Sequence, residues 1–182
     1  CAVQRRAVRL GDLDEEIRLL VRLHADGVED CPAFCHVFSA AFKVLHAVAE
    51  HFGKVNQVYN NAGIAFTGDL EVSQFKDIER VMDVDFWGDV NGTKSFLPHL
   101  IASGDGHIVN VSSLFGIFSV PGQAAYNSAK FAVRGFTEAL RQEMAVAKHP
   151  VKVTAVHPGG IKTAIARNAG AVEGLDPQEL AK

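Results

Sequence analysis

Three β-rich runs, set apart by stretches of helical periodicity and each ending in a polar or glycine turn, constrain this chain more than any other feature. They are "VNQVYNNAG", "GDGHIVNVSS" and "VKVTAVHPGG". The second and third are continuous apolar runs, as expected of strands buried on both faces. The intervening segments have a different period. Over 39–52, Ala41, Val44, Leu45, Val48 and Phe52 recur every three or four residues, and Gly53 is a stop signal. Ser73 predicts a cap for the next helix, whose packed side carries Phe75, Ile78, Met82, Asp85 and Phe86. The pattern resumes through Val90, Phe96, Leu97 and Leu100, with Pro98 expected to kink or end it. The strongest helix spans about 124–146, lined by Ala125, Ala129, Ala132, Phe136 and Leu140. Strands alternating with helices imply a parallel sheet with right-handed crossovers, an α/β doubly wound domain. Residues 28–35 have no clear period.

At 182 residues the chain has the length of one domain. Its net charge is -3 and it has no basic run, which argues against nucleic-acid binding. No apolar stretch approaches the roughly 20 residues needed to cross a bilayer, and no membrane association is expected. "CAVQRRAVRLGD" has arginines but no continuous apolar core, so it does not read as a signal peptide, and a cytoplasmic location is expected. The cysteines are Cys1, Cys31 and Cys35, the last two spaced C-x3-C with His24 and His36 nearby. Two thiols fall short of a zinc site, and reduced cytosolic cysteines are the expectation, with no metal.

In a parallel sheet of this class, ligands bind at the carboxyl ends of the strands. "NNAG", "SS" and "HPGG" fall there. Tyr126 and Lys130, in "YNSAK", stand one helical turn apart. A tyrosine ordinarily ionises near pH 10 and is a poor base at neutrality, but an ammonium beside it favours the phenolate. Taken singly, each residue has an ordinary reading as well. Tyr126 can be a half-buried helix tyrosine, Lys130 a solvated lysine and Ser113 a strand-end hydroxyl.

From 50 to 163 the chain resembles a short-chain dehydrogenase/reductase. The matching pieces are "NNAG" at 60–63, "VNVSS" at 109–113, "YNSAK" at 126–130 and "HPGGIKT" at 157–163. The resemblance implies a Rossmann-like fold and an NAD(P)-dependent oxidoreductase, moving hydride between a nicotinamide and a secondary alcohol or ketone. It implies Tyr126 as acid and base, and Ser113 hydrogen-bonded to the substrate oxygen. Lys130 would favour the phenolate and bind the nicotinamide ribose. Asn61, Ala62 and Gly63 would pass the adenosine ribose, though that turn can equally serve the fold alone. Pro158, Gly159, Ile161 and Thr163 match positions that meet the carboxamide and phosphates. Asp12, after "AVRLG", would accept from the ribose hydroxyls and favour NAD, with NADP possible. The family pairs subunits through the helices carrying "FWGDVNGTKSFL" and "YNSAKFAVRGFTEAL", which implies a homodimer or homotetramer.

Two departures follow. Asp85 stands where the family usually has an asparagine that holds a proton-relaying water. An ionised carboxylate cannot donate a hydrogen bond and would share the field of Lys130; the alternative is a tolerated substitute with the water retained. The Gly-rich G-x3-G-x-G turn does not occur in this sequence. Residues 1–182 therefore read as one incomplete Rossmann-like domain, lacking the first βα unit and the last strand, with 1–38 matching poorly. The alternative function is a non-catalytic remnant that retains only the dimerisation helices. Leu114, Phe115, Ile117, Phe118 and Val120 favour an apolar alcohol or ketone substrate, or else belong to the core.

Overall fold

The computed structural model describes residues 48–173 apart from 50, 162 and 166. Asp12, the three cysteines, His24, His36 and most of the 39–52 helix lie outside the described residues; positions 48, 49, 51 and 52 are helical.

The order is β1 (Gln57–Asn60), β2 (Phe66–Thr67), α1 (Phe75–Met82), a π-helical turn (Asp83–Trp87), α2 (Gly88–Ser103) and β3 (Gly106–Val111). A 3-10 turn (Leu114–Gly116), α3 (Ala124–Val146), β4 (Val151–Val156) and β5 (Gly170–Ala171) follow. Strands β1, β3 and β4 form one parallel sheet in that spatial order, with Asn60 opposite Asn110 and Val111 opposite Val156. Strands β2 and β5 make a separate short parallel ladder. Parallel neighbours need crossovers, which α1–α2 and α3 supply. This is the α/β architecture expected from the alternating runs.

Strand β3 lies between β1 and β4, and its Ile108, Val109 and Asn110 are buried. Leu100 of α2 and Leu140 and Met144 of α3 join Ile108, Val151 and Val153 in one apolar cluster. Burying each such side chain is worth about 1.5–3 kcal/mol. A second cluster, of Phe66, Val81, Ala125, Tyr126 and Ala129, lies toward the carboxyl ends of the strands. No described helix is long and apolar enough to cross a membrane.

Three local expectations are corrected. Pro98 sits inside α2, which continues to Ser103 and closes at Gly104 with φ 78°. Buried Leu100 anchors the turn beyond the proline, which outweighs the one lost backbone bond. Ser73 does not cap α1. Its hydroxyl donates to the Asp69 carbonyl at 2.8 Å, and the helix opens after Gln74 with no side-chain cap. Phe75 is 85% exposed, since the first turn of α1 overhangs the core that begins at Ile78 and Val81. On α3 the fully buried line runs through Ala125, Ala129, Val133, Leu140 and Met144, with Ala132 and Phe136 half-buried.

A polar network crosses the layers. Asn60 Nδ2 donates to Asn110 Oδ1 at 2.8 Å and to Thr93 Oγ1 at 3.0 Å, with the Asp89 carbonyl at 3.3 Å. Asn110 Nδ2 donates to Thr137 Oγ1 at 3.0 Å. One amide pair thus ties β1, β3, α2 and α3 at fixed register. Asn110→Ala removes the 2.8 Å acceptor of Asn60 and the donor to Thr137, and leaves a gap where a fully buried side chain joined β3 to α3. The expected loss is about 2–4 kcal/mol of unfolding free energy, read by urea titration. A loss below about 1 kcal/mol would show that the network is dispensable.

Candidate active site

The turns after β1, β3 and β4 meet at one end of the sheet. Past the end of the β3–β4 ladder, Ser112 N donates to the Val156 carbonyl at 2.8 Å and Leu114 N to the Pro158 carbonyl at 3.0 Å. His157 Nδ1 lies 3.0 Å from the Ser113 carbonyl. Ser113 is therefore fixed from both strands. Its Oγ accepts the Phe115 amide at 3.1 Å and opens the 3-10 turn. With an acceptor position taken, the hydroxyl proton remains available to donate to a ligand oxygen. Ser112 Oγ donates to the Lys130 carbonyl at 2.8 Å, clamping α3 to the end of β3. Gly116 completes the clamp, because a Cβ there would come within 2.6 Å of the Lys130 carbonyl oxygen.

Tyr126 and Lys130 are both buried, at 9% and 3% exposure. The Tyr126 ring meets Phe115 edge-on, with centroids 6.3 Å apart. The Lys130 ammonium lies 5.5 Å from the centre of the Tyr126 ring. It donates to the Val111 carbonyl at 3.1 Å and stands 3.1 Å from Asp85 Oδ2. Asp85 is wholly buried on the π-helical turn, and its other oxygen accepts the Ile64 amide at 2.8 Å. Burial pushes the Asp85 carboxyl up from its ordinary value, while the Lys130 ammonium and the Ile64 N–H pull it back. An ammonium on one oxygen and an amide on the other are the partners of a carboxylate. Gly63 lies against this pair: a Cβ there would stand 3.3 Å from Lys130 Nζ and 3.4 Å from Asp85 Oδ2.

The structure thus brings together Ser113, Tyr126, Lys130, Asp85 and Gly63. Asn61 and Ala62 stand exposed on the same turn. Gly159 approaches Leu114, where a Cβ would meet Leu114 Cδ1 at 3.0 Å. Pro158 takes part through its carbonyl. Ile161 is 64% exposed, and Thr163 is exposed with its Oγ1 accepting the Ile165 amide. These two lie further along the loop, without a hydrogen bond to Ser113, Tyr126 or Lys130 among the described residues. Leu114, Ile117 and Phe118 are exposed at the rim, so the core alternative for them fails; Phe115 and Val120 are half-buried.

Sequence reading missed Asp89. It lies one turn from Asp85, is 2% exposed, and its Oδ2 has no hydrogen-bond partner among the described residues. Burial pushes its carboxyl up to about 8; Lys130 opposes this, and the negative charge of Asp85 adds to it. Burial thus favours the neutral acid at Asp89 over the carboxylate. The available signal was Asp-x3-Asp, two acids one turn apart on the side of a helix that carries apolar residues. Ser112, Asn60 and His157 were also missed, as ordinary strand-end residues. Among the described residues, no group of three or more His, Cys, Asp or Glu is placed to hold a metal ion.

Two measurements probe these charges. Lys130→Met strands the buried Asp85 carboxylate, so unfolding free energy falls by about 3–5 kcal/mol, and Asp85→Leu added to it restores much of the loss. A double variant as weak as the single would show that packing, not charge, carries the cost. Asp89 titrates near 3.8 ordinarily and at about 8 when folded, so the native state binds the extra proton between those values. Its contribution is full at the acid end and is lost as pH rises through about 8. The stability of Asp89→Asn relative to the parent therefore climbs over that window, by at most about 1.4 kcal/mol per pH unit. Parallel stability curves would refute the assignment.

The comparisons with known proteins agree with this geometry. The sequence model described as short chain dehydrogenase matches residues 23–174. The chain is 74% identical over 136 residues to SadH of Mycobacterium tuberculosis, named as an oxidoreductase; the match covers 75% of this chain and 49% of SadH. It is 35% identical to dehydrogenase/reductase SDR family member 7B of Xenopus tropicalis, over 80% of this chain and 50% of that protein. The chain thus spans about half the length of the curated relatives it matches. Among solved structures, a short chain dehydrogenase/reductase from Burkholderia phymatum in complex with NAD superposes with a TM-score of 0.71 at 30% identity, over 85% of this chain and 57% of that one. The ligand-free aldohexose dehydrogenase of Thermoplasma acidophilum does so with a TM-score of 0.68 at 27% identity, over 76% and 52%. A parallel sheet whose strand ends converge on Ser113, Tyr126 and Lys130, together with a sequence match over most of its length, makes this chain a member of the short chain dehydrogenase family.

Proposed function

We propose that this chain carries the proton-transfer centre of an NAD(P)-dependent oxidoreductase that interconverts a secondary alcohol and a ketone. The observation that supports this reading best is the buried Lys130 ammonium, held by Val111 and Asp85 at 5.5 Å from the Tyr126 ring centre. In the oxidative direction the Tyr126 phenolate takes the proton of the substrate hydroxyl, and in the reductive direction the phenol returns it to the carbonyl oxygen. Ser113 donates a hydrogen bond to that same oxygen and holds it in reach of the phenol. The Lys130 ammonium places a positive charge beside Tyr126, and Asp85 fixes it there. A nicotinamide dinucleotide, when bound, supplies the hydride acceptor or donor.

The fit of such a cofactor rests on Gly63, which leaves no side chain between the turn after β1 and the Lys130 ammonium. Asn61, Ala62, Gly63 and Lys130 would hold one side of it, and Pro158, Gly159, Ile161 and Thr163 the other. NAD bound to the Burkholderia phymatum relative supports the cofactor class, and Asp12 favours NAD over NADP. Exposed Leu114, Ile117 and Phe118 favour an apolar alcohol or ketone. Helices α2 and α3 supply the surface for a homodimer or homotetramer.

Titrating the chain into NADH and following nicotinamide fluorescence tests the cofactor, and turnover of secondary alcohols tests the chemistry. Tyr126→Phe is expected to lower kcat by roughly 10²–10⁴-fold while leaving NADH affinity unchanged. No NADH binding at millimolar cofactor would reject the enzyme reading for this chain. Full turnover by Tyr126→Phe would reject the role of Tyr126.

A further inference from the structure

The loop from Ser113 to the start of α3 exposes large apolar side chains, yet its backbone is tied down along its length. At its start, Leu114 N donates to the Pro158 carbonyl and Phe115 N to Ser113 Oγ. At its far end the carbonyl of Gly122, a residue with φ 73°, accepts from Gly68 N at 2.8 Å. Asn127 secures the stretch between. It follows Tyr126 in the first turn of α3 and is 6% exposed. Helix side chains lean toward the helix N-terminus, and here Asn127 Nδ2 reaches back to donate to the Val120 carbonyl at 2.8 Å. Between these ties Ile117 and Phe118 stand 47% and 49% exposed. Large apolar side chains held out on a fixed backbone form a ledge made before any ligand arrives. The ledge is continuous with the reacting group. The Phe118 ring meets Phe115 edge-on at 5.7 Å, and Phe115 meets Tyr126 edge-on at 6.3 Å.

We propose that Asn127 is a specificity-determining residue that acts through this ledge: it holds Ile117 and Phe118 in a fixed place relative to Tyr126, so that they grip the apolar arm of an alcohol or ketone whose oxygen lies at Tyr126 and Ser113. The proposal rests on the reading of Tyr126 and Ser113 given above and deepens it, from an apolar substrate to one with an extended arm on the carbon that bears oxygen. Tyr126 and Asn127 are neighbours on one helix, so Val120 cannot move relative to the phenol without breaking the 2.8 Å bond. The partner also settles which way the amide faces. A carbonyl accepts only from the NH₂ end, so Asn127→Asp keeps the shape and sets a carboxylate oxygen against the Val120 oxygen. A ledge already held loses little further conformational freedom when the arm binds. A short alcohol needs only Tyr126 and Ser113, whereas a long one uses the ledge as well. Asn127 thus acts on the length of the substrate, through a contact made with the loop and not with the substrate.

Phenylnaphthylamine, an apolar dye that brightens out of water, reports on the ledge in the full chain without cofactor or turnover, and methyl nonyl ketone competes with it. Asn127→Asp and Phe118→Ser are each expected to weaken binding of the long ketone by roughly five- to tenfold. Butanone, which is too short for the ledge, is expected to bind all of these chains alike. The double variant is expected to be no weaker than Phe118→Ser alone, because the latch acts only through the ledge. Near-ultraviolet circular dichroism checks that each variant is folded, and Asn127→Leu, which drops the amide at similar size, replaces an Asn127→Asp chain that is not. Unchanged binding of the long ketone on losing the amide overturns the proposal. So do additive losses in the double variant, equal losses for butanone, and a dye that fails to bind the parent or ignores Phe118→Ser. Because the readout needs no turnover, the two readings fail separately. The expected dye results with full activity in Tyr126→Phe would keep the ledge and remove the catalytic role of Tyr126. An inactive Tyr126→Phe with long-ketone binding unmoved by Asn127→Asp would remove the ledge alone.

Discussion

The interior at the carboxyl ends of the strands is organised around one buried ammonium. Taking Lys130 out of water costs several kcal/mol unless its donors are met and its charge is balanced. Three segments do this: the end of β3 through the Val111 carbonyl, the π-turn through Asp85, and the turn after β1 through Gly63 and Ile64. None of these is local to α3 in sequence. The helix can carry its lysine inward only in the complete parallel arrangement, so forming the site and closing the sheet are one event. The π-helical turn belongs to this account, because extra residues in a helical turn are commonly kept where a side chain must be aimed.

A second layer of constraint lies beneath the first. The Asn60–Asn110–Thr137 network joins the middle of the sheet to both flanking helices, and Ser112 ties the end of β3 to the Lys130 carbonyl. Each bond is modest. Each also replaces a buried polar group that would otherwise be unmet, which is why such networks specify register more than they add stability.

Much of this was legible from sequence. Period and length marked β3, β4 and α3, because six-residue runs rich in Val and Ile and a 23-residue amphipathic segment leave little choice. The alternation of strands and helices implied the parallel sheet, and strand ends located the site. Local signals failed where tertiary contacts overrode them. Pro98 did not stop α2, because Leu100 is held in the core beyond it. Ser73 found a carbonyl four residues back instead of a helix amide. Phe75 matched the stripe but lies past the end of the core. Asp89 was missed for a related reason. Its spacing is visible, but its burial depends on how α2 sits against β1, which no single-helix pattern encodes. Asp12 carries the expectation about NAD and lies outside the described residues.

The distribution of contacts also divides the site by how freely it can change. Tyr126 and Ala129 belong to a core cluster with Phe66 and Val81, while Lys130 is clamped through its carbonyl by Ser112 and through its ammonium by Val111 and Asp85. Apart from the Tyr126 hydroxyl, replacements on that helix face are felt by packing as well as by chemistry. Leu114, Ile117 and Phe118 stand exposed at the rim on a short 3-10 turn and the residues after it. Exchanges there leave the sheet, the ion pair and the clamp untouched. Variation among descendants of such a chain has its room at the rim, while most drift on the inner helix face is met first by the fold.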